Sequence, residues 1–393
     1  MKLQDAITKI YPKTLLFKLA RLGFIKAPKP LTLTFSVTNQ CQSKCKTCNI
    51  WKFYRDGTQD CKTELKLKEI EKVFKSMGGV YFFNLSGGEP FLRKDLPEIV
   101  DLAIEYLKPA IIHSPTNAIA TKRVISSTRA ILKNLRRRGL KTPVTVKPSL
   151  DGIGARHDEI RGFKGNWQRL MKTIQALKEL GKEFPNLHLE VGTVVSNYNK
   201  ADLDGIEEYV HSLGIQSYRN EIAEQREEFN NIGDPITPTA EEYRQLMVGF
   251  AQKIRANLAE KRSLAKLTES LRLVYYELAE EIVAKNEQLI PCYAGISNVH
   301  LTPHGQLWPC CVLGYRKPMG SLREVGFDFW KIWHSKRAKE VRNHIFHGKC
   351  SCALANQAYS NIMCHTPSLI KASFNIMRAT FPSLGWGKRG KVN

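Results

Sequence analysis

Three cysteines spaced by three and then two residues, Cys41-Gln-Ser-Lys-Cys45-Lys-Thr-Cys48, lie just after an apolar run from Leu31 to Val37. Thiolates at that spacing suit a loop wrapped around an iron–sulfur cluster. Three of them hold three irons of a four-iron cluster and leave the fourth open to a substrate or cofactor. A zinc knuckle needs a fourth Cys or His close by, and the next cysteine, Cys61, is thirteen residues on. The sequence shows no secretory signal, so disulfides are not expected.

Two further constellations carry chemistry. Ser86-Gly87-Gly88-Glu89-Pro90 follows a short apolar stretch, Val80 to Leu85. Paired glycines let the backbone approach a ligand closely, and the adjacent carboxylate can accept from an ammonium group. Farther on, Cys292 and Cys310 are separated by seventeen residues, with Gly305 five before Cys310, and Cys350-Ser-Cys352 and Cys364 follow. A zinc ribbon is the alternative for this second group, although ribbons favour two Cys-x-x-Cys knuckles. Cys61 and Cys311 read as ordinary thiols, and lone histidines such as His300 and His304 as structural or solvated.

The cysteine loop and the Gly-Gly-Glu turn together resemble the radical S-adenosylmethionine (SAM) superfamily over residues 31–220. That resemblance implies that SAM chelates the open iron of the Cys41/Cys45/Cys48 cluster and is reductively cleaved to a 5′-deoxyadenosyl radical. Gly87, Gly88 and Glu89 would hold its amino group. Lys147-Pro-Ser149-Leu-Asp-Gly152 and His157-Asp-Glu-Ile-Arg-Gly162 resemble the family's fourth-strand segment, where Ser149 would contact the ribose or carboxylate of SAM. Lys172 stands where a base for the SAM carboxylate is often found, and Thr193-Val-Val-Ser-Asn197 resembles the segment lining the adenine. Asn117 belongs to Thr116-Asn117-Ala118, a departure from the commoner Thr-Asn-Gly. A second departure is Thr47, where an aromatic residue usually precedes the third cysteine, and Trp51 lies beyond it. The C-terminal cysteines resemble the SPASM/twitch extension. It implies one auxiliary 4Fe–4S cluster held by Cys292, Cys310 and two of Cys350, Cys352 and Cys364. A flavodoxin or ferredoxin is the implied reductant.

The elements that must position these residues alternate. Helical periodicity over Leu65–Met77, 95–107, 119–138, Trp167–Leu180 and Leu203–Leu213 is interleaved with strands near Val80–Leu85, Ala110–Ser114, Val144–Leu150, Leu187–Ser196 and Ile215–Arg219. Such alternation implies βα units around a parallel sheet, either a barrel or a doubly wound sheet. The resemblance selects an α/β fold, a partial (β/α)6 TIM-like barrel, with a small C-terminal α+β iron–sulfur extension. The expected organisation is a basic amphipathic segment over 1–30, the barrel over 31–238, a helical connector over 239–290, the auxiliary domain over 291–365 and a basic tail over 366–393.

The 393 residues carry a formal charge of +23 and 42% apolar side chains, enough for a real core and a call for an anionic partner. Basic and apolar residues interleave at both ends, as in a helix lying at an anionic membrane surface. No run is long enough to span a membrane, so a cytoplasmic location, peripheral on the membrane's inner face, is expected. Nucleic acid is not favoured, despite the basic stretch Lys133-Asn-Leu-Arg136-Arg137-Arg138. Hydrogen abstraction from a lipid, lipid-linked or sugar-type substrate is the expected activity, with SPASM-type peptide maturation as the alternative. A non-enzymatic iron–sulfur carrier would not explain Gly-Gly-Glu.

Overall fold

The computed structural model describes residues 11–215, 217–261 and 263–381. The parts of the expected basic amphipathic segments before residue 11 and after residue 381 therefore lie outside the described residues. The chain forms two compact units. One comprises 27–238 and 294–344, and the other 239–293 with the flanking residues up to 26 and from 345. These units cut across the boundaries expected from sequence: residues 294–344 join the barrel unit, whereas the connector joins the two ends. Among the described residues the first helix, α1 (Tyr11–Arg21), belongs to the second of these units.

The barrel unit is built on strands β1 (Thr32–Thr38), β2 (Phe82–Gly87), β3 (Ile111–Thr116), β4 (Val144–Pro148), β5 (Leu187–Val195) and β6 (Ser217–Ile222). Each pairs in parallel with the next, the six-strand core of a partial TIM-like barrel. Three further strands, β7 (Asn298–Leu301), β8 (Gln306–Trp308) and β9 (Gly320–Ser321), extend the sheet beyond β1, with β7 parallel to β1 and β8 and β9 antiparallel. Helices α2 (Leu67–Met77), α3 (Leu96–Leu102), α4 (Thr121–Arg137), α5 (Ala155–Arg161), α6 (Asn166–Glu183) and α7 (Leu203–Ser212) fill the crossovers. The predicted elements are recovered within a few residues. The short α5 was not anticipated, since its stretch read as part of the fourth-strand segment.

Strand register decides which side chains share a face of the sheet. Because side chains alternate, pairing places Thr34, Asn84, His113, Thr145, His188 and Ser217-side positions on one face, and Leu33, Phe35, Phe83, Ile112 and Val146 on the other. The apolar face is covered by helices: Phe74 of α2 meets Phe35 and Phe83 edge-on, with centroids 6.1 and 5.8 Å apart. The opposite face is polar and internally paired. On it Lys147 reaches Glu221 at 3.3 Å, and Arg219 reaches Glu190 at 3.3 Å. Burial holds the His113 ring neutral, with its pKa lowered to about 4, and its Nδ1 pairs with Asn84 Oδ1 at 2.7 Å.

In the other unit, α8 (Ala240–Asn257) starts with a reciprocal capping box, in which Thr239 N–H donates to Glu242 and Glu242 N–H to Thr239 Oγ1. Helix α9 (Ser263–Lys285) packs on α8, on α10 (Ala355–Cys364) and on α11 (Thr366–Thr380). No described helix is long and apolar enough to cross a membrane.

Candidate active site

The cysteine loop leaves the C-terminal end of β1 and is clamped on three sides. Gly88 N–H donates to Thr38 O and Glu89 N–H to Gln40 O, both at 2.8 Å. At the end of α5, Ile160 O accepts from Lys46 N–H at 2.9 Å and Arg161 O from Lys44 N–H at 3.1 Å. On the third side, Asn49 N–H donates to Phe229 O at 2.7 Å, and Asn231 Nδ2 donates to Thr47 O at 2.8 Å. Thr47 itself is buried, and Trp51 is flanked by the cations of Lys44, Lys52 and Arg55.

The glycines follow from this clamp. A Cβ on Gly88 would lie 2.2 Å from Gln40 O, and on Gly87, which has φ +113°, 2.1 Å from Thr38 O. Close approach is therefore required by the loop's own backbone, where the sequence suggested a ligand. Gly162, at φ +61°, meets the same constraint, with a Cβ 2.1 Å from Lys44 O.

Glu89 is buried, and its carboxylate faces the protein. It accepts from Phe91 N–H at 3.2 Å, Thr116 Oγ1 at 2.9 Å and Asn117 N–H at 2.6 Å, tying the turn to the end of β3. Burial pushes its pKa up to about 7 against these hydrogen bonds. Asn117 Oδ1 accepts from Ile119 N–H at 3.0 Å, and its Nδ2 lies 3.7 Å from Cys41 Sγ. Ala118 adopts φ +60°, the left-handed conformation that a glycine would take without strain. Ser149 continues β4 through a bridge to Gly192, its N–H donating to Thr116 O at 2.9 Å.

The three thiols form one electrostatic group. Burial, then the Cys45 and Glu89 charges, push Cys41 up to about 12. Burial also raises Cys45 and Cys48, the latter further through Cys45 and Cys41. Three bare thiolates cannot share so dry a pocket, whereas a cationic metal centre makes that donor set stable. The residues thus fit a cluster. Arg161, which sequence reading left unassigned, is the cation facing them. It is fixed to Asp151 at 2.9 Å, and Asp151 also accepts from Val194 N–H at 2.9 Å. Both residues lie inside quoted stretches, but only folding shows that they pair.

Lys172 lies on the helix where sequence reading placed it. It is exposed on α6 and lines a cavity to which the cysteine loop contributes no residue. The auxiliary cysteines divide between the units: Cys292, Cys350, Cys352 and Cys364 lie in the helical unit and Cys310 in the barrel unit, after β8. Within the helical unit, Cys292 and Cys364 both act on Tyr293, whose hydroxyl is pushed up to about 12 by burial and then by the Cys364 charge.

Sequence reading also missed a buried cluster on the polar face. Ligand atoms of Glu228, His300 and Cys311 all lie within 4.8 Å of one another, so neither His300 nor Cys311 is an isolated side chain. His300 Nε2 meets Ser36 Oγ at 2.8 Å, and Arg226 Nη1 lies 3.5 Å from Cys311 Sγ. Two arginines of the basic stretch are spent internally: Arg138 pairs with Asp101 at 2.8 Å and Glu105 at 2.6 Å, and Arg136 donates to Glu183 O at 2.6 Å.

Comparison with known proteins points the same way. The family model for the radical SAM superfamily matches residues 35–210, and that for the SPASM iron–sulfur cluster-binding domain matches 292–353. The chain is 22% identical over 340 residues to the antilisterial bacteriocin subtilosin biosynthesis protein AlbA of Bacillus subtilis, covering 84% of this chain and 66% of that protein. It is 25% identical over 341 residues to an AdoMet-dependent heme synthase of Oleidesulfovibrio alaskensis, covering 82% and 80% respectively. Streptococcus suis SuiB, solved bound to its precursor peptide SuiA, superposes with TM-score 0.56 at 17% identity, over 84% of this chain and 70% of SuiB.

Proposed function

From the chain's membership of the radical SAM superfamily, with a SPASM iron–sulfur domain on its C-terminal side, we propose that it is a peptide maturase. With cluster and SAM bound, the chemistry supplied is one-electron cleavage of SAM to a 5′-deoxyadenosyl radical that takes a hydrogen atom from an unactivated carbon. Cys41, Cys45 and Cys48 hold the SAM-binding 4Fe–4S cluster. Gly87, Gly88 and Glu89 would hold the amino group of SAM, with Asn117 and Ser149 as further contacts. An auxiliary 4Fe–4S cluster would take its ligands from the C-terminal cysteines, of which Cys292, Cys350, Cys352 and Cys364 belong to one unit. A flavodoxin or ferredoxin delivers the electrons.

The observation that carries the peptide reading is the alignment with AlbA over 84% of this chain. It has better support than the lipid substrate suggested by the basic ends or the sugar-type substrate that the family resemblance allowed. The polar sheet face, with Lys147, Glu190, Arg219 and Glu221 paired across it, suits amide and charged groups more than a lipid chain. A heme precursor is the second reading, because the heme synthase aligns over most of both chains.

Anaerobic incubation with dithionite, SAM and synthetic peptides encoded beside the gene tests the proposal. Formation of 5′-deoxyadenosine coupled to a mass change in one peptide is expected. Turnover of an iron porphyrin with every peptide unchanged would refute it.

A further inference from the structure

The cavity that holds Lys172 is unusual in its charge. It has a volume of about 600 Å³, within the range of ligand pockets, and is lined by Lys122, Arg123, Lys164, Arg169 and Lys172 without an acidic residue. None of the five forms an ion pair among the described residues. Elsewhere in the same unit many cations do, as Arg93, Arg129, Arg138 and Arg323 show. Arg123 donates to Leu92 O and Arg169 to Ile119 O, contacts that fix the side chains but leave their charges unbalanced.

Helix polarity makes the arrangement costlier. Lys122 and Arg123 occupy the first turn of α4, where the helix dipole disfavours cations, and that turn has neither an acidic residue nor a side-chain cap. Lys164 precedes α6, whose first turn also lacks an acid, and Arg169 and Lys172 follow along it. The start of α6 is already served by Asp158, which accepts from Gly165 N–H at 2.6 Å and Trp167 N–H at 2.7 Å. The cavity therefore gathers five like charges against two helix starts, and an anion is what would relieve their repulsion. Two residues of its lining, Ile119 and Ala120, directly follow Asn117 and Ala118 in the chain, and Ile119 N–H donates to Asn117 Oδ1 at 3.0 Å.

We infer that this cavity binds a carboxylate-rich segment of the peptide substrate, holding it beside the radical site. The inference rests on the peptide-maturase reading and adds an acidic substrate class to it. Inorganic phosphate shares the anionic chemistry and is separated by the test.

Anaerobic holoenzyme is titrated with fluorescein-labelled hexaglutamate and followed by anisotropy, at low and at high salt. The double variant Lys122→Glu/Lys164→Glu reverses two exposed charges in the cavity, and Lys94→Glu/Lys141→Glu reverses two exposed charges elsewhere in the unit. Binding weakened by salt, lost about tenfold or more in the cavity variant and kept within about twofold in the control, is expected. Equal loss in both variants, or displacement by equimolar inorganic phosphate, overturns the inference. With a coupled peptide substrate in hand, the cavity variant should raise KM and leave kcat near wild type. An unchanged KM overturns the cavity's role while leaving the maturase intact. Hexaglutamate binding at the cavity with no peptide ever turned over defeats the maturase reading instead, and the substrate assignment falls with it.

Discussion

Replacing Glu89 by Gln separates two jobs that one carboxylate performs. Its two oxygens accept from Phe91 N–H, Thr116 Oγ1 and Asn117 N–H, all at a buried site. Glu89→Ala would orphan three donors at about 1–3 kcal/mol each, a large part of a total stability of about 5–15 kcal/mol, so its loss of SAM binding would say little. Glu89→Gln keeps one acceptor oxygen but sets an NH2 group against Asn117 N–H, held at 2.6 Å in the wild type. Denaturant unfolding of anaerobic protein should show a cost of about 2–3 kcal/mol at neutral pH. Calorimetry should show SAM binding weakened by about 1.5–3 kcal/mol, roughly 10- to 150-fold, if the carboxylate also receives the SAM ammonium. The raised pKa adds a sign. A carboxyl with a folded value of about 7 and an ordinary value of 4.5 contributes stability that is complete below about pH 4.5 and lost as pH rises to about 7. That part of the decline should be missing from Glu89→Gln. A variant as stable as wild type that binds SAM equally well would refute both roles. Lower stability with unchanged SAM affinity would leave Glu89 as a clamp alone.

Reconstituted protein should hold about eight irons and eight sulfides, two four-iron clusters, and about four of each after Cys41, Cys45 and Cys48 are all changed to Ala; iron and labile-sulfide assays read this directly. Gly162→Ala forces a Cβ to within 2.1 Å of Lys44 O. Iron content should fall towards the triple-cysteine value although no ligand is touched, and full occupancy would contradict the clamp. Ala118→Gly should change stability by no more than about 1 kcal/mol, since relief of about 1–2 kcal/mol of left-handed strain is offset by backbone entropy and a lost buried methyl. Ala118→Val at the same φ of +60° should be far worse in the same melt. At the chain ends, Leu22, Phe24 and Ile370 are exposed beside Arg21 and Lys371. Sedimentation with anionic vesicles should be salt-sensitive and abolished by Leu22→Asp/Phe24→Asp/Ile370→Asp, and absence of wild-type sedimentation at low salt would remove the membrane reading.

The chemistry was legible in one dimension because it depends on local spacing. A cluster loop needs its three thiols within eight residues, so Cys41, Cys45 and Cys48 announce themselves, and βα alternation fixes strand and helix periods residue by residue. Gly87, Gly88 and Glu89 were legible as a motif, but their physical reason was not. Only the backbone of Thr38–Gln40 passing over them shows why a side chain is excluded. The pairing of Arg161 with Asp151, the meeting of Glu228, His300 and Cys311, and the polar face built by Asn84, His113, Lys147 and Glu221 come from separate βα units or strands. They depend on register and closure, which no local pattern encodes. The basic cavity that Lys172 lines was hidden for the same reason, since its lining comes from the starts of two helices far apart in the chain. Sequence determined which atoms could do chemistry, and the tertiary structure decided which of them share a pocket, because desolvation and charge act through space and not along the chain.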